Sequence, residues 1–373
     1  MHKSVRQRRV PNTSDDIASE EEENEDRSDE IKPSARILSK LVGRRTVAIV
    51  FLLFIVLYVN FPRPSLSKQA QQWRDSGYMF HFDPYNVFYR DIITLQQSDQ
   101  PNVVSEPVLL IIHGYPTSGY DWKDLIPALQ VRFGRIIVPD LLGLGFSDKP
   151  TGHLYNTMEQ ATIIERLVAF LDVAEVHILA HDYGDTVTQE LVARRLDDPE
   201  HDGFTIRSIC LSNGGILPSS YQPLLIQKLM IMPGLNLIAG RLSNWFLFKN
   251  RMSVLFGPAT KPSRALLRDF YGIVRHNDGN LVLPLIMGYL RERQVNEKRW
   301  VSALQRTNVP LHLIYGPHDP INTPERFLVA YKKQMANSGI SVLENTGHYP
   351  QVEDPEGFVE YYNTFLDELG REL

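Results

Sequence analysis

Val176-His177-Ile178-Leu179-Ala180-His181-Asp182-Tyr183-Gly184-Asp185 decides how this chain folds. A short apolar run with alternating polar positions stops at small-x-Asp-x-Gly, and a helical pattern follows from Asp185 to Leu196. Strand, one-residue turn and helix together make a nucleophile elbow, which lifts one reactive side chain above a sheet between small neighbours. Most elbows carry Ser or Cys, whereas here the central residue is Asp182. An Asp in that place could instead cap the helix that follows.

The surrounding pattern alternates strand and helix. Strands are expected over Val87 to Ile92, Val108 to Ile112, Arg135 to Val138, Glu175 to Ala180 and Ile206 to Leu211. Helices are expected over Trp122 to Phe133, Met158 to Leu171 and Thr186 to Leu196. The alternation resumes with strand Leu311 to Tyr315, helix Pro324 to Met335, strand Ser341 to Leu343 and helix Pro355 to Leu369. Such a chain builds a mostly parallel sheet flanked by helices, an α/β fold. Residues 69–215 and 306–373 form the expected core. Residues 216–305 hold only helix-like segments (Leu224 to Met232, Leu235 to Phe248, Ser263 to Arg275, Val282 to Glu292) and are expected to form an inserted helical cap.

A carboxylate nucleophile opens an alkyl C–O or C–X bond and forms an ester, which a His-activated water must then hydrolyse. The chemistry therefore needs a His, an acid to orient it and an oxyanion hole. His348 follows the last strand in Gly347-His348-Tyr349-Pro350, and Asp319 follows the preceding one in Gly316-Pro317-His318-Asp319-Pro320. The order Asp182, Asp319, His348 is nucleophile, acid, base. The backbone N–H groups of Tyr115, in His113-Gly114-Tyr115-Pro116, and of Tyr183 would form the oxyanion hole. His113 and His181 are assigned structural hydrogen bonds, and Asp140 and Ser147 brace the loop after the fourth expected element. Nothing has metal-ligand spacing, so neither a metal nor a cofactor is expected.

The stretches His113-Gly114-Tyr115-Pro116-Thr117-Ser118, Asp140-x-x-Gly143-x-Gly145-x-Ser147-x-Lys149-Pro150, His181-Asp182-Tyr183-Gly184 and Gly347-His348-Tyr349-Pro350 resemble the α/β-hydrolase superfamily, in its epoxide hydrolase and haloalkane dehalogenase branch. The resemblance implies an α/β-hydrolase fold with a helical cap and hydrolysis through an alkyl-enzyme ester. Haloalkane dehalogenases usually follow the nucleophile with Trp, where this chain has Tyr183, and an aromatic after His-Gly is closer to epoxide hydrolases. Those use two cap tyrosines to hold the epoxide oxygen. Tyr289 matches one of them, and the first has no clear counterpart around Asn244-Trp245-Phe246. Asp185 stands where the branch usually has Gly or Ala. It either couples to Asp182 and raises a pKa, or interacts with the helix dipole as a first-turn acid. A closer resemblance to one membrane-bound member of the superfamily, carried by Leu211-Ser212-Asn213-Gly214-Gly215-Ile216 and His276-Asn277-Asp278-Gly279-Asn280, implies an endoplasmic reticulum protein.

Composition bounds the remaining possibilities. The 43% hydrophobic and 22% charged fractions are globular values. The net charge of −5 is concentrated in the first 30 residues, around Glu20-Glu21-Glu22-Glu23-Asn24-Glu25-Asp26, and the near-neutral remainder argues against a nucleic-acid partner. Residues 1–40 are expected to be a disordered acidic tail. Residues 41–61 read as one transmembrane helix, with Lys32, Arg36, Lys40, Arg44 and Arg45 on the N-terminal side of its apolar stretch Thr46 to Phe61 and Arg63 and Lys68 beyond it. That asymmetry predicts a cytosolic N-terminus and a lumenal hydrolase domain in the endoplasmic reticulum membrane. The lone Cys210 sits in an apolar run and excludes an intrachain disulfide. The expected partners are the membrane and a lipophilic small-molecule substrate. The leading expectation is an epoxide-hydrolase-like enzyme; a dehalogenase-like hydrolase, an enzyme of lipid acyl metabolism and a non-catalytic binding protein are the alternatives.

Overall fold

The buried apolar run Val108–Ile112 (β3) lies at the centre of an eight-stranded sheet in the computed structural model of the protein. The structure describes residues 43–58, 65–94, 107–198, 203–221, 240–241 and 243–372. The chain divides into two units, residues 1–61 and 62–373. Of the first, the described part is a helix over residues 43–58 (α1), with Val47, Phe51, Leu52, Phe54 and Leu57 exposed. Among the described residues no helix is long and apolar enough to cross a membrane. The ends of the expected span, 41–42 and 59–61, and the acidic tail 1–40 lie outside the described residues.

The second unit begins with helix Lys68–Asp75 (α2) and strands Tyr78–Phe82 (β1) and Tyr85–Ile93 (β2). The other strands are Arg135–Pro139 (β4), Glu175–Ala180 (β5), Thr205–Ser212 (β6), Leu311–Tyr315 (β7) and Ser338–Val342 (β8). Their order is β1-β2-β4-β3-β5-β6-β7-β8, with β2 antiparallel to both β1 and β4 and every later pair parallel. Parallel strands need covering on both faces, which explains why β3 is a continuous apolar run and why β7 is buried along its whole length. The covering helices include Thr157–Phe170 (α3), Tyr183–Asp197 (α4) and Pro355–Glu372 (α5).

Between β6 and β7 the described elements are all helical. They include Trp245–Leu255 (α6), Arg264–Val274 (α7), Tyr289–Val295 (α8) and Glu297–Arg306 (α9). The expected helix Leu224 to Met232 lies outside the described residues, as does most of the first half of Leu235 to Phe248. The expected helix Val282 to Glu292 is broken. A short helical turn, Leu283–Ile286, ends at Met287 and α8 starts after Gly288; upstream of both, the chain passes through a 3₁₀ segment, His276–Leu281, in which Asn277 and Asp278 take φ of 48° and 55°. Trp122 to Phe133 is likewise not one helix: a 3₁₀ turn at Gly119–Trp122 is followed by one helical turn, Ile126–Leu129.

Two contacts tie the helical insertion to the sheet layer. Glu190 of α4, buried, accepts from Arg194 Nε at 2.9 Å, Arg299 Nε at 3.3 Å and Trp300 Nε1 at 2.8 Å, which joins α9 to α4. Asp269 of α7 accepts from Ser67 N–H and Ser67 Oγ, both at 2.7 Å, and from Tyr120 Oη at 3.1 Å. The residues just before α2 are thereby held on α7.

Candidate active site

β5 ends at Ala180, and Asp182 then takes φ 48° and ψ −103°, a backbone conformation that costs a non-glycine residue about 1–3 kcal/mol. Its side chain makes no hydrogen bond to the first turn of α4, so the helix-capping alternative does not apply. The elbow closes only because its neighbours are small. A Cβ on Gly184 would lie 2.2 Å from the Ile112 carbonyl oxygen, and one on Gly114 would lie 2.7 Å from Asp182 Cβ. The loops after β3 and β5 are pressed together at this point.

That proximity places the Tyr115 N–H on Asp182 Oδ2 at 3.1 Å. The other expected oxyanion donor, Tyr183, follows Asp182 as the first residue of α4. Asp182 is 5% exposed, which leaves its carboxylate a narrow approach.

His348 and Asp319 meet as their positions after β8 and β7 require. His348 Nδ1 lies 2.8 Å from Asp319 Oδ2, and both residues are buried. Asp319 also accepts from Asn213 Nδ2 at 3.0 Å, Asn322 Nδ2 at 3.1 Å and the Ile321 N–H at 2.8 Å. Burial opposes charge on both partners. The His348 charge and these donors nevertheless hold Asp319 below the usual carboxylate range. Burial would likewise lower His348, but the charges of Asp319, Asp182 and Glu353 outweigh it and push the imidazole up to about 9. The free site therefore holds His348 as an imidazolium at neutral pH.

The supporting histidines take the structural places expected of them. His181 Nε2 donates to the His348 carbonyl at 2.7 Å, and burial holds its pKa down to about 3. His113 Nδ1 donates to the Gly114 carbonyl at 2.8 Å while Nε2 accepts from the Leu141 N–H at 2.9 Å, which fixes its tautomer. Asp140 accepts from the N–H groups of Gly119 and Phe146, each at 2.7 Å, and Ser147 Oγ donates to its carbonyl at 2.6 Å.

Asp185 lies in the first turn of α4. Its carboxyl is fully buried and accepts from the N–H groups of Ser212 and Gly214 at 3.4 and 3.0 Å, which secures the loop after β6. Burial first, and the charge of Asp182 with it, raise its pKa well above the usual carboxylate range. An acid so raised resists taking a second negative charge into the elbow.

Tyr289 is buried on α8, its ring stacked on Tyr183 at 4.4 Å between centroids and tilted against Tyr115 at 5.9 Å. Two residues near the elbow escape sequence reasoning. Arg293, one turn beyond Tyr289, is 2% exposed and donates through Nη2 to the Asp182 carbonyl at 2.9 Å and to Asp182 Oδ1 at 3.3 Å. Its Nε donates to Thr186 Oγ1 at 2.7 Å, and its guanidinium lies 4.6 Å over the Tyr289 ring. Tyr221 lies at the start of the insertion, with Arg293 5.9 Å over its ring. Burial is the main cause of the raised Tyr289 pKa, and the charge of Asp182 adds to it. No group of His, Cys, Asp and Glu among the described residues could hold a metal ion.

Residues 108–361 match the model of the alpha/beta hydrolase family. The chain belongs to that family. This hydrolase is 41% identical over 318 residues to the mesoderm-specific transcript protein of Mus musculus, an alignment covering 84% of this chain and 92% of the relative. It is 33% identical to the putative hydrolase LipZ of Mycobacterium tuberculosis, over 79% of this chain and 96% of that one. Among solved structures, haloalkane dehalogenase DbeA from Bradyrhizobium elkani superposes with a TM-score of 0.65 at 20% identity, covering 80% of this hydrolase and 99% of DbeA. The epoxide hydrolase CorEH superposes at 0.60 and 20% identity, over 79% and 99%.

Proposed function

We propose that this α/β hydrolase opens an epoxide-like substrate by attack of Asp182 and hydrolyses the resulting alkyl ester with water activated by His348 and Asp319. One observation carries this reading: Asp182 Oδ2 is held by the Tyr115 N–H, beside a buried Asp319–His348 pair. Oδ1 is then the attacking oxygen, while Oδ2 lies where the oxyanion forms when water adds to the ester carbon. The electrostatics order the two steps. Asp182 is one of the charges that keep His348 protonated, and alkylation removes that charge. The imidazole is consequently released as a base only after the ester exists.

Tyr289 is the cap phenol assigned to the substrate oxygen in this reading. The aromatic and aliphatic surroundings of the elbow favour a lipophilic substrate. The apolar exposed face of α1, and the arginines Arg44 and Arg45 at its start, support anchoring in the endoplasmic reticulum membrane with the hydrolase domain lumenal.

The test is trapping. The His348→Gln chain, incubated with a panel of aliphatic and aryl epoxides, should accumulate a covalent adduct that peptide mass spectrometry places on Asp182. Turnover of any panel member that survives Asp182→Asn would overturn the assignment.

A further inference from the structure

We infer that Arg293 is a catalytic residue of this site, the cation that pairs with Asp182 before alkylation and takes over the anion that alkylation creates. The inference rests on the proposed alkyl-ester chemistry and adds the residue that balances its charge.

Four observations converge on Arg293. It is an arginine 2% exposed on an inserted helix, and the Asp182 contact at 3.3 Å is its ion pair among the described residues. It touches Oδ1, the oxygen left free by the Tyr115 N–H, rather than Oδ2. Its orientation is fixed from several sides, by Thr186 Oγ1, by the Asp182 carbonyl and by the faces of Tyr289 and Tyr221. Finally, Nη1 is buried and has no hydrogen-bond partner among the described residues. Gly215 is what leaves that nitrogen room, since a Cβ there would come within 2.5 Å of Nη1.

A buried guanidinium cannot lose its charge and must keep a counterion. When Asp182 becomes an ester, that counterion disappears. A buried cation left without a counterion is strongly unfavourable, so an anion formed beside it is correspondingly stabilised. Phenols can donate a hydrogen bond to that anion but cannot supply the charge. In an epoxide the C–O bond breaks with its electron pair passing to oxygen, as the new bond forms between carbon and Asp182 Oδ1. The alkoxide stays with Arg293 until it takes the proton carried by the His348 imidazolium. The neutral imidazole then removes a proton from water as that water attacks the ester carbon. Collapse of the intermediate returns the Asp182 carboxylate and a second hydroxyl carrying the water's other proton. His348 ends protonated, as it began.

Asp182→Asn reproduces the charge state after alkylation without any chemistry. The Asp182→Asn chain should bind bromide saturably, at least about tenfold tighter than the parent by thermal-shift titration. The Asp182→Asn/Arg293→Met chain, which buries neither charge and so folds without an orphaned ion, should lose that binding. Equal bromide binding by parent and Asp182→Asn, or binding that survives Arg293→Met, overturns the role. A kinetic arm compares alkylation of His348→Gln with His348→Gln/Arg293→Met. Adduct formation should slow by about 10²–10³-fold, with partial recovery by Arg293→Lys. Unchanged alkylation in that pair overturns the role as well. Absence of any adduct in His348→Gln itself counts against the epoxide reading alone, and bromide binding still decides Arg293.

Discussion

The two oxygens of Asp182 are held by donors of different kinds, a neutral backbone N–H on Oδ2 and a guanidinium on Oδ1. In the proposed mechanism, this asymmetry lets one carboxylate attack with one oxygen and later receive water at its carbon. In that mechanism His348 restores it, and its partner Asp319 sets its pH behaviour. Asp319→Asn should lower steady-state turnover by about 10²–10⁴-fold, and the Asp182 adduct should accumulate in mass spectra because hydrolysis of the alkyl ester needs the oriented base. The same pair contributes to stability. The folded His348 pKa, about 9, lies above its ordinary value of 6.5, so the contribution is fully present below about pH 6.5 and is lost as pH rises through about 9. The thermal midpoint of the parent should therefore fall from pH 6.5 to 9.5, while His348→Gln shows a flatter profile over that range. Asp182, Asp319 and His348 were legible because each stands in a short motif at a strand end. Arg293 was not: in Arg291-Glu292-Arg293 it looks like part of a solvated helix face, and only tertiary packing turns it inward. Tyr221 carries no local pattern at all.

At the scale of elements, the elbow depends on α4 approaching β3 more closely than any side chain at Gly184 would permit. Gly184→Ala should lower stability by about 1–3 kcal/mol in denaturant unfolding and abolish activity, because the displaced turn takes Asp182 away from the Tyr115 N–H. The strands that build this frame were largely readable. β3, β5 and β7 fall where their largely apolar runs predict. The edges of the sheet were harder to place. β1 pairs only with β2, and its exposed Tyr78 and Met79 blur the alternation, so it has no counterpart in the sequence reading. β8 begins at Ser338, earlier than the expected Ser341, because its partly buried Ser338-Gly339-Ile340 is a poor strand signal held in place by pairing with β7. The break within Val282 to Glu292 was hidden for a related reason: it falls at Met287-Gly288, and nothing in the spacing of apolar residues marks it.

Across the whole molecule, a near-neutral enzyme domain follows an apolar helix whose large side chains are exposed. With α1 as an anchor, the full chain should stay in the membrane pellet after alkaline carbonate extraction, and Leu52→Arg/Phe54→Arg should release it to the supernatant. Digestion of the hydrolase domain in sealed microsomes without detergent would contradict a lumenal placement. The core fold was legible from 373 residues because its periodicities repeat from one unit to the next, whereas anything set by the insertion depends on packing between segments far apart in sequence. The hold of Asp269 on Ser67 is one such long-range contact, and it has a mechanical meaning. A pull transmitted along the chain from its N-terminal side meets α7 before it meets any strand. Tension would thus be borne first by two hydrogen bonds on an inserted helix, with the sheet and its catalytic loops shielded behind them.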